Sequence, residues 1–221
     1  LNYAETRLTR KPYIKKVINL IKPFIYELNF NGSEFSSYTT AGTYFSYLHT
    51  ANDYLECKNF FKEKVEKMNF SYENIIRKIR LIDAYLQCQM AARDWTETSK
   101  YMLLKTEIIE DALKNFDYDK VIEGELYNHY VRALNAVGEG YRVAGYTEED
   151  AKKKNFYVSK AQKINEEYFS KKNPFDYLGL NVLFIADDIN ELNFEVAEKK
   201  INAALLKIEN LKFHDFPESL I

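Results

Sequence analysis

Few side chains in this sequence stand where they could do covalent chemistry. The three histidines, His49, His129 and His214, are scattered, and the pairing with ligand-like spacing is Glu125 with His129. One helical turn apart, those two would present a carboxylate and an imidazole on one face, two of the ligands a metal ion needs. A di-iron bundle requires Glu-x-x-His twice with two further Glu; that set is missing, as is His-Glu-x-x-His. The plainer reading of Glu125 and His129 is a pair on a solvated helix face, and no metal site is assigned. Nucleophilic catalysis needs a Ser or Cys beside a base on a defined turn. There is no Gly-x-Ser-x-Gly, and neither Cys57 nor Cys88 has a His near it in sequence. Gly138-Glu139-Gly140 falls inside a helical pattern, outside the strand–turn–helix setting of a phosphate loop. Paired acids such as Asp187-Asp188 and Glu123/Glu125 are ordinary on helix surfaces. No catalytic residue and no cofactor are expected.

Recognition is the other chemistry these residues could support. Arg132, Asn135, Glu139 and Arg142 recur at helical spacing on one face, opposite Tyr130, Leu134, Val137 and Tyr141. A similar polar face holds Arg80, Asp83 and Gln87, and another includes Ser46 and His49. Asn181 stands alone among Leu178, Leu180, Val182 and Leu183; a buried Asn needs both donors and acceptors, which a peptide backbone supplies. The competing reading is a solvated stripe, with Asn181 bonded inside the core.

These residues sit on helices. Apolar spacing predicts a first helix through Ile14, Val17, Ile18 and Ile21, with Pro12 in its first turn and Pro23 kinking or ending it. A loop follows at Phe30-Asn31-Gly32-Ser33. Residues 37–69 read as helical with a break near Asn52-Asp53, then Ser71 to Arg93, Trp95 to Leu113, Val121 to Ala144 and Thr147 to Phe169. Asn173-Pro174 opens Phe175 to Ile189, and Phe194 to Leu211 precedes a tail with Pro217. No segment alternates with period two. Gly (7) and Pro (4) are too scarce among 221 residues for the turns of a β-sandwich. With 46% hydrophobic and 29% charged residues the chain can bury a core. A net charge of −2 gives no overall pull towards nucleic acid, and no apolar run predicts membrane insertion. Two cysteines make no disulfide framework; in apolar segments they read as buried thiols of a reducing compartment. The basic set Arg7, Arg10, Lys11, Lys15 and Lys16 could dock on an acidic partner.

Four breaks share one grammar: a polar or Gly residue, an aromatic, then an amphipathic helix with a small residue a few positions on. They are Asn52-Asp53-Tyr54 with Cys57, Arg93-Asp94-Trp95 with Thr98 or Ser99, Gly145-Tyr146 with Ala151, and Asn193-Phe194 with Ala197. Asp53/Glu56 and Asp94/Glu97 have the form of capping boxes, and Thr147/Asp150 of a looser one. The aromatic is expected to wedge between helices while the small residue lets them approach. With Phe194, Ala197, Ile201 and Ala204 in one second helix, Gly138 and Tyr141 in one first helix, and Tyr85 and Leu86 in another, the chain resembles the tetratricopeptide repeat family. The aromatics stand 41, 51 and 48 residues apart, against about 34 in that family, and the family's early Trp and closing Pro are missing.

The resemblance implies an all-α fold of antiparallel hairpins stacked as a right-handed α-solenoid, with lengthened helices; an unrelated helical bundle is the alternative. Residues 1–36 would form an N-terminal helix and loop, 37–211 about four hairpins, and 212–221 a tail. It further implies a concave groove for a protein or peptide, which would be lined by His49, Arg80, Asp83, Gln87, Arg132, Asn135, Glu139, Arg142 and Asn181. A non-enzymatic binding scaffold is the expected function. Alternatives are a structural subunit of a larger assembly, suggested by 18 Tyr and 15 Phe, or a ligand- or metal-binding bundle built on Glu125 and His129.

Overall fold

The computed structural model of the chain describes residues 2–29, 35–69, 71–144 and 147–210. The expected loop at Phe30 to Ser33, the Gly145-Tyr146 turn and the tail 212–221 lie outside them. Within the described residues every regular element is helical. In order these are α1 (Asn2–Glu27), α2 (Phe35–Ala51), α3 (Tyr54–Phe60), α4 (Ile75–Ala92), α5 (Trp95–Asn115), α6 (Lys120–Ala144), α7 (Glu148–Ile164), α8 (Ser170–Lys172), α9 (Pro174–Asn190) and α10 (Phe194–Asn210). Two π-helical turns, Phe61–Val65 and Asn165–Phe169, continue α3 and α7. No described helix is long and apolar enough to cross a membrane. The chain divides into two compact units, Leu1–His129 and Tyr130–Ile221, and the division falls inside α6.

The first unit shows why α1 does not stop at its prolines. Pro12 and Pro23 both lie inside the helix, and both are exposed. The carbonyl that Pro23 leaves unbonded belongs to Asn19, also on the exposed side, where water can take it up. Ile14, Ile18, Ile21 and Ile25 turn inward, with Ile18 and Ile25 buried. Against them α2 presents Ala41, Tyr44, Phe45 and Leu48, all buried. A chain of rings then runs through the unit. Phe60 meets Tyr44 at 5.1 Å and Phe45 at 5.2 Å, while Phe61 stacks on Tyr85 at 3.8 Å and meets Tyr101 edge-on at 4.8 Å. The π turn at Phe61 inserts an extra residue, which lets the adjacent Phe60 and Phe61 both face inward. α4 starts at Ile75 rather than Ser71, because Asn74 Oδ1 accepts the Ser71 N–H at 2.7 Å and holds a turn there.

In the second unit Tyr130, Val131, Leu134 and Val137 of α6 are buried, with Ala161, Phe169, Leu180, Phe184 and Ala197. α7 comes close to α6 at Gly138, where an added Cβ would lie 2.7 Å from Val158 Cγ2 and 3.3 Å from the Lys154 carbonyl. Gly138 is therefore a packing glycine. Tyr141 and Tyr157 stack at 5.9 Å along the same contact.

Three inter-helix turns are alike in detail. Asn52, Arg93 and Leu192 have φ of 58°, 60° and 62°. In each turn that residue donates to a carbonyl three back, and its successor to one five back: Asp53 to Leu48 at 2.9 Å, Asp94 to Gln89 at 3.0 Å, Asn193 to Asp188 at 2.8 Å. This is the Schellman closure of a helix end. The small residues that follow, Cys57, Thr98 and Ala197, are buried as expected, whereas Ala151 is exposed. Two of the aromatics do not wedge: Trp95 is 55% and Phe194 59% exposed, while Tyr54 is half-buried. At Trp95 and Phe194 the inward place falls instead to the residue three further on, Thr98 and Ala197.

Candidate interaction surface

The residues expected to line a groove are mostly engaged inside their own units. On α4, Arg80 reaches Glu125 of α6 with Nη2 at 2.7 Å and Nε at 3.1 Å. Asp83, one turn on, accepts from the Lys105 ammonium of α5 at 2.5 Å and lies 3.2 Å from His129 Nδ1. His129 Nε2 in turn lies 3.7 Å from Glu125. Glu125 and His129 thus belong to a five-residue charge network with Arg80, Asp83 and Lys105. Burial acts to raise the Asp83 carboxyl, but the His129 hydrogen bond and the Lys105 charge outweigh it and hold the group below its ordinary value. Lys105 is 3% exposed, so its end of the pair lies in the core, while Asp83 is half-buried. Gln87 and Ser46 are exposed, and His49 is half-buried on α2.

In the second unit Arg132 is exposed while Asn135 is buried. Glu139 binds Arg142 Nε through Oε2 at 2.6 Å. Asn181 accepts from Asn165 Nδ2 at 3.2 Å, and that same amide also donates to the Tyr177 carbonyl at 3.3 Å. Asn181 is thus bonded within the fold, at the π turn. Of the nine residues, Arg80, Gln87 and Arg132 are the exposed ones.

The paired caps behave differently from their sequence form. Asp53 accepts the Glu56 N–H and Asp94 the Glu97 N–H, as N-caps should. Yet the two glutamates turn into the core. Glu56 Oε1 accepts from Tyr44 at 2.9 Å and Tyr26 at 3.0 Å, and Oε2 from Lys22 at 2.5 Å. Glu97 accepts from Tyr85 at 3.3 Å and pairs with Lys58 and Lys62 at 3.4 and 3.2 Å. Burial, and then the neighbouring glutamate, push the Tyr44 and Tyr85 hydroxyls far above their ordinary value, so both remain donors. The full box forms at Thr147/Asp150 instead. Cys57 and Cys88 are both buried free thiols; burial, then its contact with Cys88, drives the Cys57 thiol upward, away from reactivity. Among the described residues no three His, Cys, Asp or Glu side chains converge as metal ligands.

Large apolar side chains also remain open to solvent. Tyr13, Val17, Leu20 and Phe24 of α1 are 71%, 38%, 70% and 69% exposed. Their steps of four, three and four residues make a continuous stripe beside the buried one. Sequence periodicity contains both stripes but does not say which is covered; Val17, counted with the inward isoleucines, belongs to the outward one. On α10, Phe194, Val196, Ile201, Leu205 and Leu206 are also exposed. No family model matches this chain, and no curated protein or solved structure does either.

Proposed function

We propose that this protein is a non-enzymatic helical scaffold that binds a partner protein, and that α1 offers the docking face. The observation behind this reading is the exposed stripe of Tyr13, Val17, Leu20 and Phe24. Its spacing is that of a two-helix seam, in which side chains three and four apart insert between those of a facing helix. The basic residues Arg7, Arg10, Lys11, Lys15 and Lys16 share this helix, so the fitting partner is an amphipathic helix with acidic flanks. The groove first read from Arg132 and its neighbours is a lesser contributor, since Asn135 is buried and Glu139 and Arg142 hold each other. A second reading, a permanent subunit of a larger assembly, draws on the apolar residues left open on α10 as well.

Capture of a partner by the intact chain would be compared with Leu20→Glu/Phe24→Glu and with Arg132→Ala/Asn135→Ala/Arg142→Ala, circular dichroism confirming that each is helical. The α1 variant loses at least about tenfold in affinity, as removal of two central anchors requires, and the groove variant loses less. Equal capture by the α1 variant would dismiss the α1 face, and loss confined to the other variant would restore the groove.

A further inference from the structure

In the second unit one cluster of buried oxygens has more acceptors than donors. Asn135 and Glu139 stand one turn apart on α6, and Asp187 meets them from α9. Asn135 is 6% and Asp187 8% exposed. The Asn135 amide donates to Asp187, and the Glu139 carboxyl lies within hydrogen-bonding reach of it. Three atoms still have no donor: Asn135 Oδ1, Glu139 Oε1 and Asp187 Oδ2. The neighbouring cations are already engaged. Arg142 holds the other Glu139 oxygen, Lys154 contacts Glu191, and Lys200 lies 2.6 Å from Asp188. Two carboxylates in contact in a buried setting do not both stay ionised, and a protonated carboxyl becomes the donor its neighbour lacks.

We propose that Asp187 holds a proton against the Glu139 carboxylate across the α6–α9 contact, making that contact a clasp that holds in mild acid and loosens at neutral pH and above. The charged groups around Asp187 set its sign. From α6 come Glu139 and the Arg142 that pairs with it; from α7, Lys154; from α9, Asp188, with Glu191 at its C-terminal cap; from α10, Lys200 on Asp188. Burial first, and then the Glu139 charge, push the Asp187 carboxyl up to about 6, against the smaller downward pull of Asn135 and Lys154. A carboxyl raised in the folded state binds its proton more tightly there than in the unfolded chain. Its stabilising effect is therefore complete below the unfolded value and lost as pH rises through the folded one. A hard cation would seek the same oxygens, but the positive charges of Arg142 and Lys154 disfavour a second cation.

The test follows the full chain, Asp187→Asn and Glu139→Gln by thermal unfolding at about pH 5 and about pH 7.5, with carbon NMR titration of the side-chain carboxyls. Asp187→Asn mimics the protonated carboxyl, and Glu139→Gln removes the charge beside it. Comparing variant with parent at each pH cancels the opposite slopes of other carboxylates. Asp187→Asn is expected to raise the folding constant about 100-fold relative to the parent at the higher pH and about tenfold at the lower, the gap closing only below the unfolded value near 4. The NMR titration is expected to show one carboxyl titrating near 6 that is missing from Asp187→Asn. Glu139→Gln loses its Arg142 pair at both pH values and removes the Glu139 share of the pH-dependent part, leaving the share due to burial, so a reduced variant-to-parent slope decides the matter if Asp187→Asn does not fold. A variant-to-parent difference equal at the two pH values would overturn the proposal, as would an Asp187 carboxyl titrating in the ordinary range. So would Mg²⁺ or Ca²⁺ stabilising the parent but not Asp187→Asn, which would assign the oxygens to a cation.

Discussion

Asp53 and Asp94 cap their helices through the side chain, as their type and position foretell, because capping is a local bond spanning three residues. The glutamates three places on, Glu56 and Glu97, have the right type to bond back to the cap, but burial gives them a stronger partner. Tyr44 and Tyr85 are each 0% exposed and stand twelve residues before the glutamate they bond. A buried hydroxyl without an acceptor is costly, so the carboxylate goes to it while water can serve the cap nitrogen. Glu56→Ala would leave Tyr44 without its acceptor and Lys22 without its partner. The expected loss is about 2–3 kcal/mol in urea unfolding, and Glu56→Gln, which keeps an acceptor, loses less. Asp83 teaches the same lesson: its polar type and helical spacing suggest a binding face, while its partner Lys105 is hidden 22 residues away.

At the scale of elements, helix limits follow where the stop signals are local. The three Schellman turns at Asn52, Arg93 and Leu192 are all marked by a polar residue and an aromatic after them. What the pattern leaves out is that Arg93 and Leu192 hold the left-handed conformation without being Gly or Asn. Leu192 is 73% exposed and so has little packing to lose. Leu192→Gly is expected to stabilise the chain by about 1 kcal/mol in a denaturant midpoint, because it removes the left-handed penalty of a side chain with Cβ. An unchanged or lowered midpoint would mean the exposed leucine packs in a way its exposure does not suggest. The π turns Phe61–Val65 and Asn165–Phe169 had no local signal. An inserted residue is tolerated because partners elsewhere in the sequence reward it: Phe61 meets the rings of Tyr85 and Tyr101, and Asn165 donates to the Tyr177 carbonyl and to Asn181. Pro23 shows the converse: a local breaker overruled, since its freed carbonyl faces solvent and the isoleucine stripe on either side is held by α2.

Across the whole molecule, the shifted carboxyls among the described residues fall into two groups, Asp187 of the second unit held above its ordinary value and three of the first unit held below. Those three are Asp83, Asp94 and Glu97. Asp83 and Glu97 resist the upward effect of burial through His129 with Lys105, and Lys62 with Lys58; Asp94 is held mainly by the Glu97 backbone N–H. A lowered carboxyl contributes stability that is present above the unfolded value, near 4, and is lost as pH falls through the folded one. Asp83→Asn should therefore weaken the acid-induced loss of stability, while costing about 3 kcal/mol at neutral pH by removing the carboxylate that faces the buried Lys105 charge. Acid titrations of parent and variant, followed by circular dichroism, read both effects; an unaltered acid limb would remove Asp83 from the account. The all-helical class, most helix limits and the turn grammar were determined by the sequence alone, because periodicity, caps and breakers act over a few residues. Which of two apolar stripes on α1 is covered, which polar residues on α4 and α6 pair inward, and that Asn135, Glu139 and Asp187 share one pocket of oxygens were decided only by tertiary structure. Those outcomes depend on partners tens of residues away, and helical spacing specifies a face without specifying what will cover it.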